Sequence, residues 1–268
     1  MKTKVKYLAI IFACFVIGLT TSGGCVQEEA KSRTITDAEQ ARAMWACQNV
    51  MSKHNYYHAV GYHLEELMDI WVKEDGDYAK TATFSNPNGV WEGIDLIKIF
   101  YGNPSAEDPN QSIEEMLKNQ IKDPNDGMGN WAIHLNTTPV LEIAGDGKTA
   151  KGVWYSPGVH VGISTRENGT TETSGGWWWE KYGVDFAKED GKWKIWHIQM
   201  FYDHTPRISA ETGSTIWTEP MSIGTGETQE TATRANPNRY KMWGPNTVPV
   251  LRPELPEPYY TFSETFSY

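Results

Sequence analysis

Cysteine is scarce in this chain of 268 residues, which has three. Cys14 lies inside an N-terminal apolar run and Cys25 just behind it, so Cys47 stands alone in the remainder. A disulfide framework is thereby excluded. A Cys25–Cys47 bridge would have to start from a flexible tether, and it forms only if Cys25 is unmodified. Positive charge is also short. Lys and Arg number 24 against 34 Asp and Glu, a formal charge of −10. Phosphate backbones need a basic surface, so nucleic acid is excluded as a partner. Internal repeats are absent, and so is the His-Glu-x-x-His pattern of helix-borne zinc sites.

The chain is rich in apolar and aromatic side chains, with 39% hydrophobic residues and 12 tryptophans. That suffices for one large domain with extensions. Lys2, Lys4 and Lys6 precede YLAIIFACFVIGLT and then TSGG, the three regions of an export signal over 1–24. The apolar run is too short for a comfortable membrane span. Cys25 directly after small residues resembles the lipidation site of prokaryotic lipoproteins, although Ser22 stands where a leucine is usual. Lipid anchoring at Cys25 on the outer side of the cytoplasmic membrane is expected; simple secretion or a periplasmic location is the alternative. Residues 25–35 would form a polar tether.

Thr36-Asp37-Ala38-Glu39 reads as a capping box that starts a helix. Met44, Cys47, Met51, His54 and His58 then share one helix face. Gly61 interrupts, and HLEELMDIWV predicts a second helix with Leu64, Leu67, Met68 and Trp71 inward. A short strand or two, a third helix in GIDLIKIFYG and a polar helix in QSIEEMLKNQIK follow. From Trp131 onward WAIHLNTTPVLEI, AKGVWYSPGVHVGI, WWWEKYGVDFA and WKIWHIQMFYD predict four strands of an antiparallel meander. Helices first and a meander afterwards argue an α+β fold with helices on one face of a curved sheet. Residues 205–268 hold eight of the 14 prolines and read as an extended arm around the domain or a partner.

The element order, with WEGIDLIKIFYG, HLNTTPVLEIAGDGKTAKGVWYSPG and EDGKWKIWHIQMF, resembles the SnoaL-like branch of the nuclear transport factor 2-like superfamily over residues 36–204. That resemblance implies a cone-shaped α+β barrel around a deep pocket. It also implies a choice between dehydratase, isomerase or cyclase chemistry and non-catalytic binding. In dehydratase members a histidine at the place of His134 moves the proton, as an imidazole near its ordinary pKa can. A second histidine near His160 is also a feature of scytalone dehydratase-like members. The family's Tyr and Asp at the end of the first helix correspond to HNYYHAVGYH. This segment has Tyr56, Tyr57 and Tyr62 but no aspartate, so His58 or His63 would replace the carboxylate. Phe84 falls where a tyrosine is expected.

Alternation along the last strand puts His197 and Gln199 on one face with Ile195, as pocket groups. The predicted catalytic set is therefore His134, His58, Tyr57, His197 and His160, with His54, Tyr62, Asn136, Trp154, Gln199 and Phe84 lining the ligand. The competing reading is a core imidazole bonded to a backbone carbonyl for His134, a surface strand-end histidine for His160 and a satisfied packing histidine for His197. His54 and His58, at i and i+4, could also share a metal ion with a third ligand from the sheet, His134 or His197. The favoured reading uses no metal and no cofactor. In WWWEKY, Trp178 points opposite to Trp177 and Trp179, so one side needs cover from the arm or a second copy, and a homo-oligomer is expected. The expected ligand is a hydrophobic, ring-bearing small molecule.

Overall fold

The computed structural model describes residues 33–102, 112, 115, 117, 131–165, 168–208, 215–216, 228–238, 246 and 248–268. The export signal, Cys25, most of the polar helix in QSIEEMLKNQIK and much of the low-complexity stretch after 208 lie outside them. Among the described residues no helix is long and apolar enough to cross a membrane.

Helix α1 (Asp37–Ala59) begins where the capping box places it. The Thr36 hydroxyl accepts from the Glu39 amide at 3.2 Å, and the Glu39 carboxylate accepts from the Thr36 amide at 2.8 Å. Two of the four amides that a helix start leaves free are thus satisfied. Ala43, Cys47, Val50, Met51 and His54 form its buried face. Gly61 ends the helix with φ +72°, a conformation that costs a side-chain-bearing residue energy. The reversal folds α2 (His63–Ile70) back onto α1. The inward face of α2 differs from expectation: Glu66, Leu67 and Ile70 are buried, while Met68 is 74% exposed.

Strands β1 (Thr83–Asn86) and β2 (Gly89–Glu92) form a hairpin, and α3 (Ile94–Gly102) follows. The expected first long strand is split into β3 (Trp131–His134) and β4 (Thr137–Ile143), both paired with β5 (Thr149–Thr165). Pro139 has no amide to donate, Thr138 takes φ +48°, and the register shifts between Thr137 and Val140. Then come β6 (Thr171–Glu189), β7 (Lys192–His204), and the short β8 (Arg207–Ile208) and β9 (Thr215–Ile216). The main order is β2-β1-β7-β6-β5-β3, with β1 parallel to β7. The expected antiparallel meander is present, and this parallel pair makes the curled sheet mixed. Pro157 and Gly158 do not bend β5, which pairs through them with β6.

The helices pack on one face of the sheet. Trp154, Tyr182, Val184, Phe186 and Ile198 meet Cys47, Met51, Ile70, Trp71 and Ile97 there in one core. This is the α+β fold that the element order predicts, in the cone form that the resemblance implies. The other face is covered by segments after residue 204. The Val90 amide donates to the Arg234 carbonyl, and Asn236 lies between Asn86 and Gln199. Tyr268 packs on Gly183, where a Cβ would come within 2.4 Å of its ring. Further along, the outer side of β5 and β6 exposes Tyr155, Val159, Val161, Ile163 and Trp179.

At the centre of that second face is a buried ion cluster. The Lys151 ammonium donates to Asp185 and to the Phe266 carbonyl, and lies 4.5–4.9 Å from the ring centroids of Phe262, Phe266 and Tyr268. The other Asp185 oxygen accepts from His197 Nδ1 at 2.8 Å, the Tyr268 amide at 2.9 Å and the Ser267 hydroxyl at 3.1 Å. Burial alone would raise the Asp185 pKa, but His197 and Lys151 hold it below the usual carboxylate range. Removing one partner of a buried pair strands the others. Asp185→Ala is expected to cost about 3–5 kcal/mol in urea unfolding. Lys53→Ala, which removes the exposed partner of Asp69, is expected to change stability by less than about 1 kcal/mol.

Candidate functional site

The helix-facing side of the sheet carries a second polar region, where chemistry-bearing groups converge. Alternation along β5 and β6 builds it from facing residues: Trp154 opposite Tyr182, Ser156 opposite Glu180, and Gly158 opposite Trp178. On the other edge of β5, His134 pairs with Gly158. A Cβ at Gly158 would approach the Ile133 carbonyl oxygen to 2.8 Å and His134 Nδ1 to 3.2 Å, so the glycine leaves room for the imidazole. Trp178 lies beside both imidazoles, with ring centroids 4.6 Å from His134 and 5.1 Å from His160.

His134 is 7% exposed, and its Nδ1 is 3.5 Å from a carboxylate oxygen of Glu180. Among the described residues, neither ring nitrogen of His134 has a hydrogen-bond partner, and neither do the two carboxylate oxygens of Glu180. Tyr202 pairs across from Glu180 on β7, and Tyr182 follows it by two residues on β6. Burial and the Glu180 charge push both phenols well above their usual pKa, so both remain hydrogen-bond donors.

The helices supply the opposite wall. Glu66 of α2 is fully buried. One of its oxygens accepts from His54 Nδ1 at 2.6 Å and from the Tyr101 hydroxyl at 3.0 Å. The other is 3.3 Å from His63 Nδ1 and 3.7 Å from His58 Nδ1. The His58 ring, with 35% of its side chain accessible, sits 6.0 Å from the His134 ring and joins the two walls. Ligand atoms of His54, His58 and Glu66 lie within 4.8 Å of one another, the one such group of potential metal ligands among the described residues.

Charge sets the proton affinities of this wall. Burial works against ionised Glu66, but His54, His58 and His63 outweigh it and hold the carboxyl well below its usual range. Burial lowers the His58 pKa, but Glu66, with help from Glu180, leaves it net raised. His63 ends below its usual value, because burial and the neighbouring imidazoles outweigh Glu66.

Of the residues expected at the site, His134, His58, His54 and His160 are brought together. His197 is not, for a local reason. Phe186 pairs with Ile195 and Asp185 with His197, so Trp196 is an extra residue in β7. That bulge turns His197, Gln199 and Phe201 to the far face. There His197 is held by Asp185 and by the Thr81 carbonyl at 3.0 Å, and Gln199 by Asn236 and Asn238. Tyr57 points outward and donates to Asp69 at 3.1 Å, and Tyr62 is 40% exposed. Asn136 donates to the Met51 carbonyl and to Asn55, both at 2.9 Å. Trp154 donates to Gln48 at 2.8 Å in the core, where Phe84 stacks on Phe100 at 4.1 Å.

Sequence reasoning missed Glu66, Tyr101 and Glu180. Tyr101 of α3 packs its ring 5.8 Å from that of Phe84 and gives its hydroxyl proton to Glu66. One signal for Glu66 was present: it lies three residues after His63 and four before the buried Ile70, on the inward helix face. Alternation with Trp178 could have pointed to Glu180. A separate open cleft of about 650 Å³ lies along the C-terminal segment, beside Leu251, Leu255, Tyr259 and Phe266. Glu254, Glu257 and Glu264 are its charged lining groups, with no imidazole, amine or thiol among them.

Fold and site together define an α+β cone with a polar interior between helices and sheet. Residues 39–199 match the SnoaL-like domain family, and the chain belongs to it. Among solved structures, the chain is similar to a putative scytalone dehydratase from Novosphingobium aromaticivorans. Identity there is 15% and the TM-score 0.43, covering 72% of this chain and 100% of that one. For a type 2 hexachlorocyclohexane dehydrochlorinase (LinA) the identity is 14% and the TM-score 0.42, covering 70% and 100%. For a putative dehydratase of the NTF2-like family from Streptomyces avermitilis they are 11% and 0.39, covering 60% and 96%. No curated protein matches this sequence.

The helix wall makes a pH prediction. The stability from ionised Glu66 is present above its unfolded pKa of roughly 4.3 and is lost as pH falls through its depressed folded value. The contribution of charged His58 has the opposite sense: it is present below 6.5 and lost as pH rises through the raised value. In a nitrogen-15 NMR titration of chelator-treated protein, His58 is expected to titrate above 6.5 and His63 below it. Glu66→Gln should bring the His58 midpoint down.

Proposed function

We propose that this protein is a lyase or isomerase in which His134 removes a proton from a carbon next to a carbonyl. Glu180 orients the imidazole and stabilises the imidazolium that forms. The observation that carries this reading is a buried imidazole 3.5 Å from a buried carboxylate, neither of which makes a hydrogen bond among the described residues. A buried polar atom without a hydrogen bond costs about 1–3 kcal/mol. A bound molecule with polar atoms would satisfy it. His134 is the base because it lies on the helix-facing side of the sheet with a carboxylate 3.5 Å from one ring nitrogen, which leaves the other for the substrate.

The other groups fill complementary roles. Tyr182 and Tyr202 are donors on the same sheet face as Glu180, suited to a carbonyl oxygen as it gains negative charge. His160, which like His134 lies against Trp178, can give a proton to a leaving group or to another carbon. Trp178 offers an aromatic face beside the imidazoles, which suits a flat, hydrophobic, ring-bearing substrate. This chemistry uses side chains alone and calls for no organic cofactor. The carboxylate that the end of α1 lacks is supplied from β6, so the departure from the family pattern does not remove the base–carboxylate pair.

The test is deuterium wash-in. A panel of cyclic ketones is incubated with the protein in heavy water, and the carbon next to the carbonyl is followed by proton NMR. Exchange is expected, and His134→Ala should slow it by about 10²–10⁴ while ligand binding persists. Glu180→Gln should slow it at least about tenfold. Ketones that bind without exchanging, or exchange unchanged in His134→Ala, would leave a ligand-binding domain as the better reading.

We also propose export and lipid anchoring, on the sequence of residues 1–25. Mass spectrometry of the N-terminal peptide from the native host should find Cys25 as the first residue carrying a diacylglyceryl group. An unmodified N-terminus beyond the leader would mean secretion.

A further inference from the structure

The helix wall contains more than the His134 reading uses. Three imidazoles from α1 and α2 converge on the single Glu66 carboxylate. The two oxygens of that carboxylate are not equivalent. His54 and the Tyr101 hydroxyl hold one at 2.6 and 3.0 Å, which fixes the plane of the carboxylate. The other faces His63 Nδ1 at 3.3 Å and His58 Nδ1 at 3.7 Å. The His58 ring lies between its neighbours, with centroids 5.3 Å from His54 and 4.8 Å from His63. His58 Nδ1 is buried and has no hydrogen-bond partner.

As a hydrogen-bonded cluster this arrangement is inefficient. Three imidazoles cannot all be charged around one carboxylate, and His58 Nδ1 gains no hydrogen bond in return for its burial. As a ligand set it is well matched. Metal bonds of about 2.0–2.1 Å to nitrogen and oxygen in a tetrahedron put neighbouring ligand atoms roughly 3.3–3.4 Å apart. The two contacts at the second oxygen of Glu66 already have nearly that spacing, and the nearest ligand atoms of His54, His58 and Glu66 fall within 4.8 Å. Imidazoles with one carboxylate suit zinc, cobalt or nickel, whereas calcium and magnesium take sets made of oxygen. Tyr101 would orient the carboxylate from behind, as the outer partners of metal ligands do.

We propose that Glu66, His54, His58 and His63 bind one divalent transition-metal cation of the zinc class. The expected ligand from the sheet is replaced by a carboxylate from α2, brought back against α1 by the reversal at Gly61. The site is independent of the proton-transfer role of His134 and Glu180, and it is read by metal content instead of turnover. A cation here would sit beside the His134 pocket, since the His58 ring is 6.0 Å from that of His134.

The experiment uses the purified protein, stripped with a chelator, dialysed and then titrated with Zn²⁺ and separately with Co²⁺. One ion per chain is expected by elemental mass spectrometry, with visible ligand-field bands in the cobalt form. His58 and His63 are the more accessible imidazoles, so the double variant His58→Asn, His63→Asn should keep its circular dichroism. It should weaken binding at least about a hundredfold and lose the cobalt bands. His134→Ala should bind metal as the unchanged protein does, which separates this site from the proposed base. The proposal is overturned if the folded, stripped protein takes up less than about half an ion per chain at micromolar metal. Undiminished binding in the folded double variant also overturns it.

Discussion

A single buried carboxylate, Glu66, ties the three helices together. His54 reaches it from α1, His63 from its own helix and Tyr101 from α3. A charged group taken out of water is expensive unless other groups replace the lost hydration. Here the replacement comes from residues that lie 12 positions before Glu66 and 35 after it. The α1–α2 reversal and the seating of α3 therefore depend on one another through this side chain. The same contacts place His58 opposite His134 and so form one wall of the candidate site.

The sheet repeats this logic on both faces. Alternation along β6 sends Glu180 and Tyr182 toward the helices and Lys181 and Asp185 away from them. The two carboxylates meet different fates. Asp185 is saturated by Lys151, His197, Ser267 and the Tyr268 amide, and it anchors the C-terminal residues on the far face. Glu180 has His134 beside it and no hydrogen bond. A satisfied buried carboxylate belongs to the scaffold, whereas a buried imidazole–carboxylate pair that makes no hydrogen bond is a candidate for chemistry.

Local signals carried much of the architecture. The capping box at Thr36, the apolar stripe through Cys47 and Met51, and the opposition of Trp178 to Trp177 and Trp179 are properties of short sequence windows. They appear in the structure as read. His134, His58, His54 and His160 were legible as a group because a helix face and a strand face each have a fixed period. His197 was not, because one extra residue at Trp196 reverses the side chains from His197 to Tyr202, and no pattern of residue types marks that bulge.

The sequence by itself determined the α+β order and placed His54 and His58 on one face of α1, because these follow from hydrophobic period and turn chemistry within about 20 residues. Only the tertiary structure decided which carboxylates meet them. Glu66 approaches His54 through a helix reversal, and Glu180 approaches His134 across β5. Partnerships between elements are set by register and packing, which depend on the whole chain at once. The segment HNYYHAVGYH thus supplies imidazoles as expected, while their acidic partners come from two other elements.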